Sequence, residues 1–134
     1  MTLHRRRRRK KVPQGDRWHT ACAYAIEHPG SVYVEGWAVL YNGMTLEHGW
    51  CEVDGPVLDV EAARRHESWA AAGATYCAGL RWRWDDLAAA VAANGARLPL
   101  AWGAGGGPVY RATTSYLRAF ENALRVASER RRKA

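Results

Sequence analysis

The sequence has no long apolar run, and it has few of the residues that build disulfide or metal frameworks. Its 134 residues include three cysteines, two methionines and one phenylalanine. No apolar stretch approaches the roughly 18 to 20 residues that a membrane-spanning helix needs. We therefore expect no contact with the membrane interior, and the chain length is that of one ordinary domain rather than two.

The cysteines also exclude some classes of protein. Cys22, Cys51 and Cys77 are odd in number, and none belongs to a CxxC pair. This argues against a complete disulfide framework and against a four-thiolate zinc site. The five histidines form no HExxH motif, and the sequence predicts neither a metal site nor a cofactor. We expect free thiols in a reducing compartment, the cytoplasm.

Charge is unevenly distributed along the chain, whose formal net charge is +7. Residues 1–11 carry seven Lys/Arg and no acid, and residues 129–134 carry four against one. The remaining residues, 12–128, hold nine Lys/Arg against twelve Asp/Glu. The excess positive charge therefore lies at the two ends, and the body is mildly acidic.

This distribution predicts three parts: a disordered basic arm over 1–15, one domain over 16–128 and a basic tail over 129–134. No apolar segment of about 7 to 15 residues follows the basic run, so we expect no secretory signal. Clustered cations attract nucleic acid or an acidic partner. The candidate contacts are Arg5, Arg6, Arg7, Arg8, Arg9, Lys10 and Lys11.

Hydrophobic patterning predicts an α+β fold in which an N-terminal helix packs on a small antiparallel meander. The helix is expected over 16–28, and strands over 32–40, 46–53 and 57–60, with turns at 42–43 and 54–55. Beyond these we expect a helical segment over 61–72, a short strand over 74–80 and a helix over 84–93. A loop over 101–108 should precede a long final helix over about 110–131.

One set of residues suggests chemistry: Cys22 on the first helix, His48 in the second strand and Asp59 in the third. Thiol catalysis needs a thiolate beside an imidazole and a third group that orients the imidazole. If the two-residue turn pairs Val53 with Pro56, His48 and Asp59 are two positions out of register and lie within reach on one face. For Cys22 alone, a buried core thiol and a nucleophile both remain open.

The motifs support a resemblance to a known family. YVEGWA, followed by His48-Gly49-Trp50 and by Asp54-Gly55 with Asp59, resembles small bacterial and phage proteins of the transglutaminase-like or papain-like type. The similarity covers about residues 16–60. It implies that His48 is the base and Asp59 its orienting acid, but it places the family's cysteine near Arg17, one helical turn before Cys22.

Two hypotheses follow. In the first, Cys22 attacks an amide or peptide carbonyl, His48 transfers the proton and Asp59 orients His48, while Gln14 supplies an oxyanion donor. In the second, the chain lacks the nucleophile and is an inactive relative, a binding or accessory protein whose basic ends contact nucleic acid or an acidic partner.

Overall fold

The computed structural model describes residues 16–64, 69, 72–102 and 113–133. The elements are α1 (Asp16–Glu27), β1 (Ser31–Val39), β2 (Thr45–Val53), β3 (Val57–Leu58), α2 (Val60–Arg64), β4 (Thr75–Arg83), α3 (Trp84–Ala93), a 3₁₀ turn (Leu100–Trp102) and α4 (Thr114–Lys133). They form the α+β fold that the patterning predicts. Within these ranges no helix is long and apolar enough to cross a membrane.

The four strands form one antiparallel sheet in the order β3-β2-β1-β4. Asp54 and Gly55 make the turn between β2 and β3 with φ of 56° and 106°, the left-handed conformation that a two-residue hairpin turn requires. The Val53 amide donates to the Pro56 carbonyl at 3.0 Å, and Cys51 lies opposite Leu58. The register predicted from the turn is confirmed.

Several boundaries differ from the predictions. β3 ends at Leu58 instead of position 60, because the Asp59 carboxylate accepts a hydrogen bond from the Ala62 amide at 3.1 Å and so begins α2. β4 extends to Arg83 and α3 spans 84–93 as predicted. The predicted loop over 101–108 lies mostly outside the described residues.

The helices α1, α3 and α4 pack on one face of the sheet, which we call the helix face. Cys51 donates from Sγ to the Ala21 carbonyl of α1 at 3.2 Å, and a Cβ on Gly49 would lie 2.7 Å from Trp18. On α4, Phe120 packs against Trp37 of β1, with 4.7 Å between the centroids of the two rings. The opposite face carries His48 and Trp50, because side chains alternate along β2; we call it the histidine face.

The basic residues predicted as a tail from position 129 continue α4 as far as Lys133. Arg130 donates to the Val39 carbonyl at 2.7 Å, to the Leu40 carbonyl and to the Thr75 hydroxyl. Arg131 donates to the Gly43 carbonyl at 3.3 Å. These two arginines therefore hold the end of α4 on the β1–β2 hairpin, which a count of charges does not reveal.

Candidate functional site

The histidine face carries a hydrogen-bonded His–Asp pair. Nε2 of His48 lies 2.9 Å from Oδ2 of Asp59, and both side chains are almost completely buried. The pairing follows from the hairpin, because the Asp54–Gly55 turn fixes the register and Asp59 is the first residue after β3. The contact expected between these two residues is present.

Asp59 is the centre of a small polar network. Its Oδ2 also accepts a hydrogen bond from the Tyr76 hydroxyl at 2.7 Å, and its Oδ1 caps α2 through the Ala62 amide. Burial raises the pKa of Asp59, but the bonds from His48, Tyr76 and Ala62 outweigh it, so the pKa lies below its usual value. The carboxylate is therefore ionised and connects β2, α2 and β4.

The other ring nitrogen of His48 is the one that a catalytic base would use. Nδ1 is buried and has no hydrogen-bond partner among the described residues, and the whole side chain is 0% exposed. The ring centroids of Trp69 and Trp50 lie 5.1 Å and 6.2 Å from the centroid of the imidazole. This arrangement fixes and orients the imidazole, but its reactive nitrogen does not reach the surface.

Cys22 lies on the other side of the sheet from His48. It belongs to the buried cluster of the helix face, together with Cys51 and Tyr33. Because side chains alternate along β2, Cys51 points away from His48, and the thiol that packs with Cys51 does so too. The structure brings together His48 and Asp59 but does not bring Cys22 to them.

The thiols also have the electrostatics of core residues. Burial, with a further contribution from Glu35, raises the pKa of Cys22 to about 12. Burial likewise raises the pKa of Cys51 to about 12, and it raises the pKa of Cys77 despite the nearby Arg125 and Arg130. All three cysteines are unpaired, and none has the lowered pKa of an activated nucleophile.

We expect Cys22 to resist alkylation in the folded protein. A thiol with a pKa of about 12 holds roughly 10³-fold less thiolate near pH 7.5 than an ordinary cysteine. Iodoacetamide should therefore label Cys22 and Cys51 at least about 100-fold faster in urea than in buffer, as measured by peptide mass spectrometry. Cys77, which is only partly buried, serves as the internal control. Rapid labelling of Cys22 at pH 6 would instead indicate an activated thiolate.

The remaining predicted site residues do not complete a nucleophilic site. Arg17, where the resemblance places the family's cysteine, donates from Nη1 to the Glu47 carbonyl at 3.2 Å, and a guanidinium is a hydrogen-bond donor with no lone pair to act as a nucleophile. Gln14 and the seven cations of the basic arm lie outside the described residues. Among the residues that are described, no group of three or more His, Cys, Asp or Glu could hold a metal ion.

The patterning treated Glu35 as an ordinary strand residue, but it is a buried carboxylate. Its two oxygens accept hydrogen bonds from the Tyr33 hydroxyl and from the Leu100 and Ala101 amides, each at 2.7 Å. Burial raises its pKa to about 7, even though all three bonds act in the opposite direction. The available signal was one charge inside the apolar run VYVEGWAV.

No family model, curated protein or solved structure shows significant similarity to this chain.

Proposed function

We propose that this chain is a binding or accessory protein that contacts nucleic acid through its cationic ends. One observation carries the proposal: the sheet lies between Cys22 and the His48–Asp59 pair, so the described residues do not assemble the predicted Cys22–His48–Asp59 arrangement. Asp59 already caps α2 and accepts from Tyr76, and the His48–Asp59 pair serves as a buried polar connection within the fold.

The distribution of charge supports a nucleic-acid partner. Residues 1–11 carry seven Lys/Arg and no acid, which is more positive charge than solubility requires. A segment of this kind binds phosphates by releasing counterions, with little dependence on sequence. The three unpaired thiols are consistent with a cytoplasmic location, where nucleic acid is available.

The test is the affinity for a 30-base-pair DNA duplex and a single-stranded RNA of equal length, measured by fluorescence anisotropy. Deleting residues 1–11 should weaken binding about 100-fold or more at low salt. If all seven cations contact phosphates, the slope of log K against log salt should fall in magnitude by about 6. The melting temperature should change little, because the deleted residues precede α1.

The C-terminal contribution needs a substitution rather than a truncation. Arg130 and Arg131 hold α4 on the hairpin, so removing them would confuse binding with stability. Arg132 and Lys133 are exposed, and changing both to glutamine should weaken binding by a smaller factor. Affinity that is unchanged by the deletion, or that is insensitive to salt, would overturn the proposal.

A cysteine hydrolase is the second candidate, and the His48–Asp59 hydrogen bond is the observation in its favour. It requires a conformation in which a thiol reaches the Nδ1 side of His48. The alkylation experiment decides this directly, because the hydrolase needs a reactive Cys22.

A further inference from the structure

The outer edge of β4 is open along the described part of the chain. Among the described strands, the order places β4 at one end of the sheet, paired with β1 alone. Seven of the nine residues of β1 are buried, whereas none of the nine residues of β4 is. An edge strand of this length presents backbone donors and acceptors to any strand that can reach it.

The register shows which backbone groups of β4 face outward. Val53 donates to Pro56 on the β3 side, so alternation along β2 turns the backbone groups of His48 and Trp50 toward β1. Gly36 and Val34 lie opposite His48 and Trp50, and they direct their backbone amide and carbonyl groups toward β2. The odd-numbered residues of β1 therefore direct their amide and carbonyl groups toward β4.

The same alternation continues across β4. Cys77 lies opposite Trp37, so its backbone groups bond to β1. Ala78 lies opposite Gly36 and Arg81 lies opposite Val34, and these residues direct their amide and carbonyl groups away from the sheet. Tyr76, two positions before Ala78, does the same. The open edge thus offers three outward-facing positions between Thr75 and Arg81.

An open groove of about 420 Å³ crosses the histidine face from β3 to β4 and reaches α4 at this edge. β4 lies along its floor, and its lining residues come from both faces of the sheet. The wall on the histidine face contains Trp50, Glu52 and Val57, and the wall on the helix face contains Asn122, Arg125 and Val126 of α4. Side chains of an added strand would point alternately toward these two walls.

The charge of the groove selects its occupant. Arg81 is held by Glu52 through two hydrogen bonds of 2.8 Å and 3.0 Å, so these charges compensate each other. Arg125 has no acidic partner among the described residues and is exposed. Arg130 does not line the groove but places a second cation near it, at the Thr75 end of the strand. Among the lining residues, the α4 side of the groove carries one cation, Arg125, and no acid.

We propose that the β4 edge binds an acidic, extended segment of a partner protein as an added strand. Backbone hydrogen bonds to Tyr76, Ala78 and Arg81 would supply affinity, and a carboxylate facing Arg125 would supply selectivity. A second copy of the chain fits less well, because pairing β4 with β4 places the arginines of both copies along one seam. The inference does not depend on nucleic-acid binding by the chain ends.

The probe is a phage-displayed library of random heptapeptides, selected on the full-length protein and followed by affinity measurement on the recovered peptides. Selected peptides should be enriched in Asp and Glu alternating with β-branched residues. Ala78→Pro removes one outward amide, a change that edge strands tolerate, and should weaken binding at least tenfold. Arg125→Glu leaves the backbone intact and should weaken it by a similar factor.

Arg118→Glu is the matched control, since Arg118 is exposed on the same helix but does not line the groove. It should leave peptide affinity within about twofold. Loss of binding in Arg125→Glu but not in Arg118→Glu supports the proposal, even if Ala78→Pro does not fold. The proposal is wrong if no peptide is recovered, if recovered peptides lack acidic residues, or if Arg125→Glu binds them normally. It is also wrong if sedimentation shows a dimer that Ala78→Pro dissociates.

Discussion

Replacing Glu35 with leucine is expected to destabilise the protein by about 3 to 5 kcal/mol. Leucine fills much of the same volume, but it leaves the Leu100 and Ala101 amides without the acceptor they have at 2.7 Å. Each buried donor without a partner costs about 1 to 3 kcal/mol. The free energy of unfolding in urea measures the loss, which is a large fraction of the stability of a domain this size.

A second strand glutamate provides the control. Glu52 pairs with Arg81 near the surface, and an exposed ion pair contributes about 1 kcal/mol or less. Glu52→Leu should therefore shift the free energy of unfolding far less than Glu35→Leu. Equal effects of the two substitutions would mean that the hydrogen bonds to the 3₁₀ turn do not stabilise the fold.

The same carboxyl predicts a pH dependence. Burial raises the pKa of Glu35 from its ordinary 4.5 to about 7 in the folded protein. Between these values the folded state binds more protons than the unfolded state, so stability falls as pH rises through this window, by about 3 kcal/mol in total. The free energy of unfolding of Glu35→Gln should lack this dependence on pH. If the free energy of unfolding of the wild-type protein and of Glu35→Gln changed in parallel with pH, Glu35 would not titrate in that range.

Replacing Gly36 with alanine is the other change with a large expected effect. A Cβ at this position would lie 2.2 Å from the Cys77 carbonyl oxygen and 2.9 Å from the Gly79 amide nitrogen. Both atoms belong to the backbone of β4 and cannot rotate away, so β1 and β4 would have to separate. We expect a loss of about 3 kcal/mol or more, measured by urea unfolding.

Gly55→Ala is the comparison for this substitution. An added Cβ at Gly55 meets no atom of the described residues within 4 Å, but the residue has a φ of 106°, so alanine should cost only about 1 kcal/mol. Gly36 also allows the Trp50 ring to extend over β1. The ring centroids of Trp50 and Tyr76 are 5.0 Å apart there, and Trp50 lines the groove that reaches the β4 edge. If Gly36→Ala were no less stable than Gly55→Ala, β1 and β4 would not be as closely spaced as described.

The His48–Asp59 pair shows how a sequence pattern can place two side chains in contact without bringing the predicted nucleophile, Cys22, to them. The hairpin alone is enough to place the two side chains in contact, and Asp59 has two further partners. Whether the Cys22 thiol can reach His48 depends instead on the face of the sheet against which α1 packs. The motif is therefore informative about the hairpin, and it is much less informative about the nucleophile.

Local rules account for what was predicted correctly. The Asp54–Gly55 turn sets the register of β2 and β3. The helix predicted over 84–93 from helical propensity and the Asn94-Gly95 stop signal has the same bounds as α3. Contacts between distant residues account for what was missed. Glu35 accepts hydrogen bonds from residues that lie 65 and 66 positions away, and Arg130 donates to a strand 91 positions earlier. The charge inside VYVEGWAV marks Glu35 as unusual, but no local window of the sequence identifies the partners of either residue.

The sequence by itself determined the meander, its register and the concentration of cations at the two ends, and it placed His48 and Asp59 within reach of each other. These depend on turn geometry, on alternation along a strand and on counting charges. Only the tertiary structure decided that α1 packs against Cys51 instead of His48, and that Glu35 and Arg130 hold the fold together. A helix joined to a sheet by a short turn can cover either face, and the choice depends on how much apolar surface the whole chain buries.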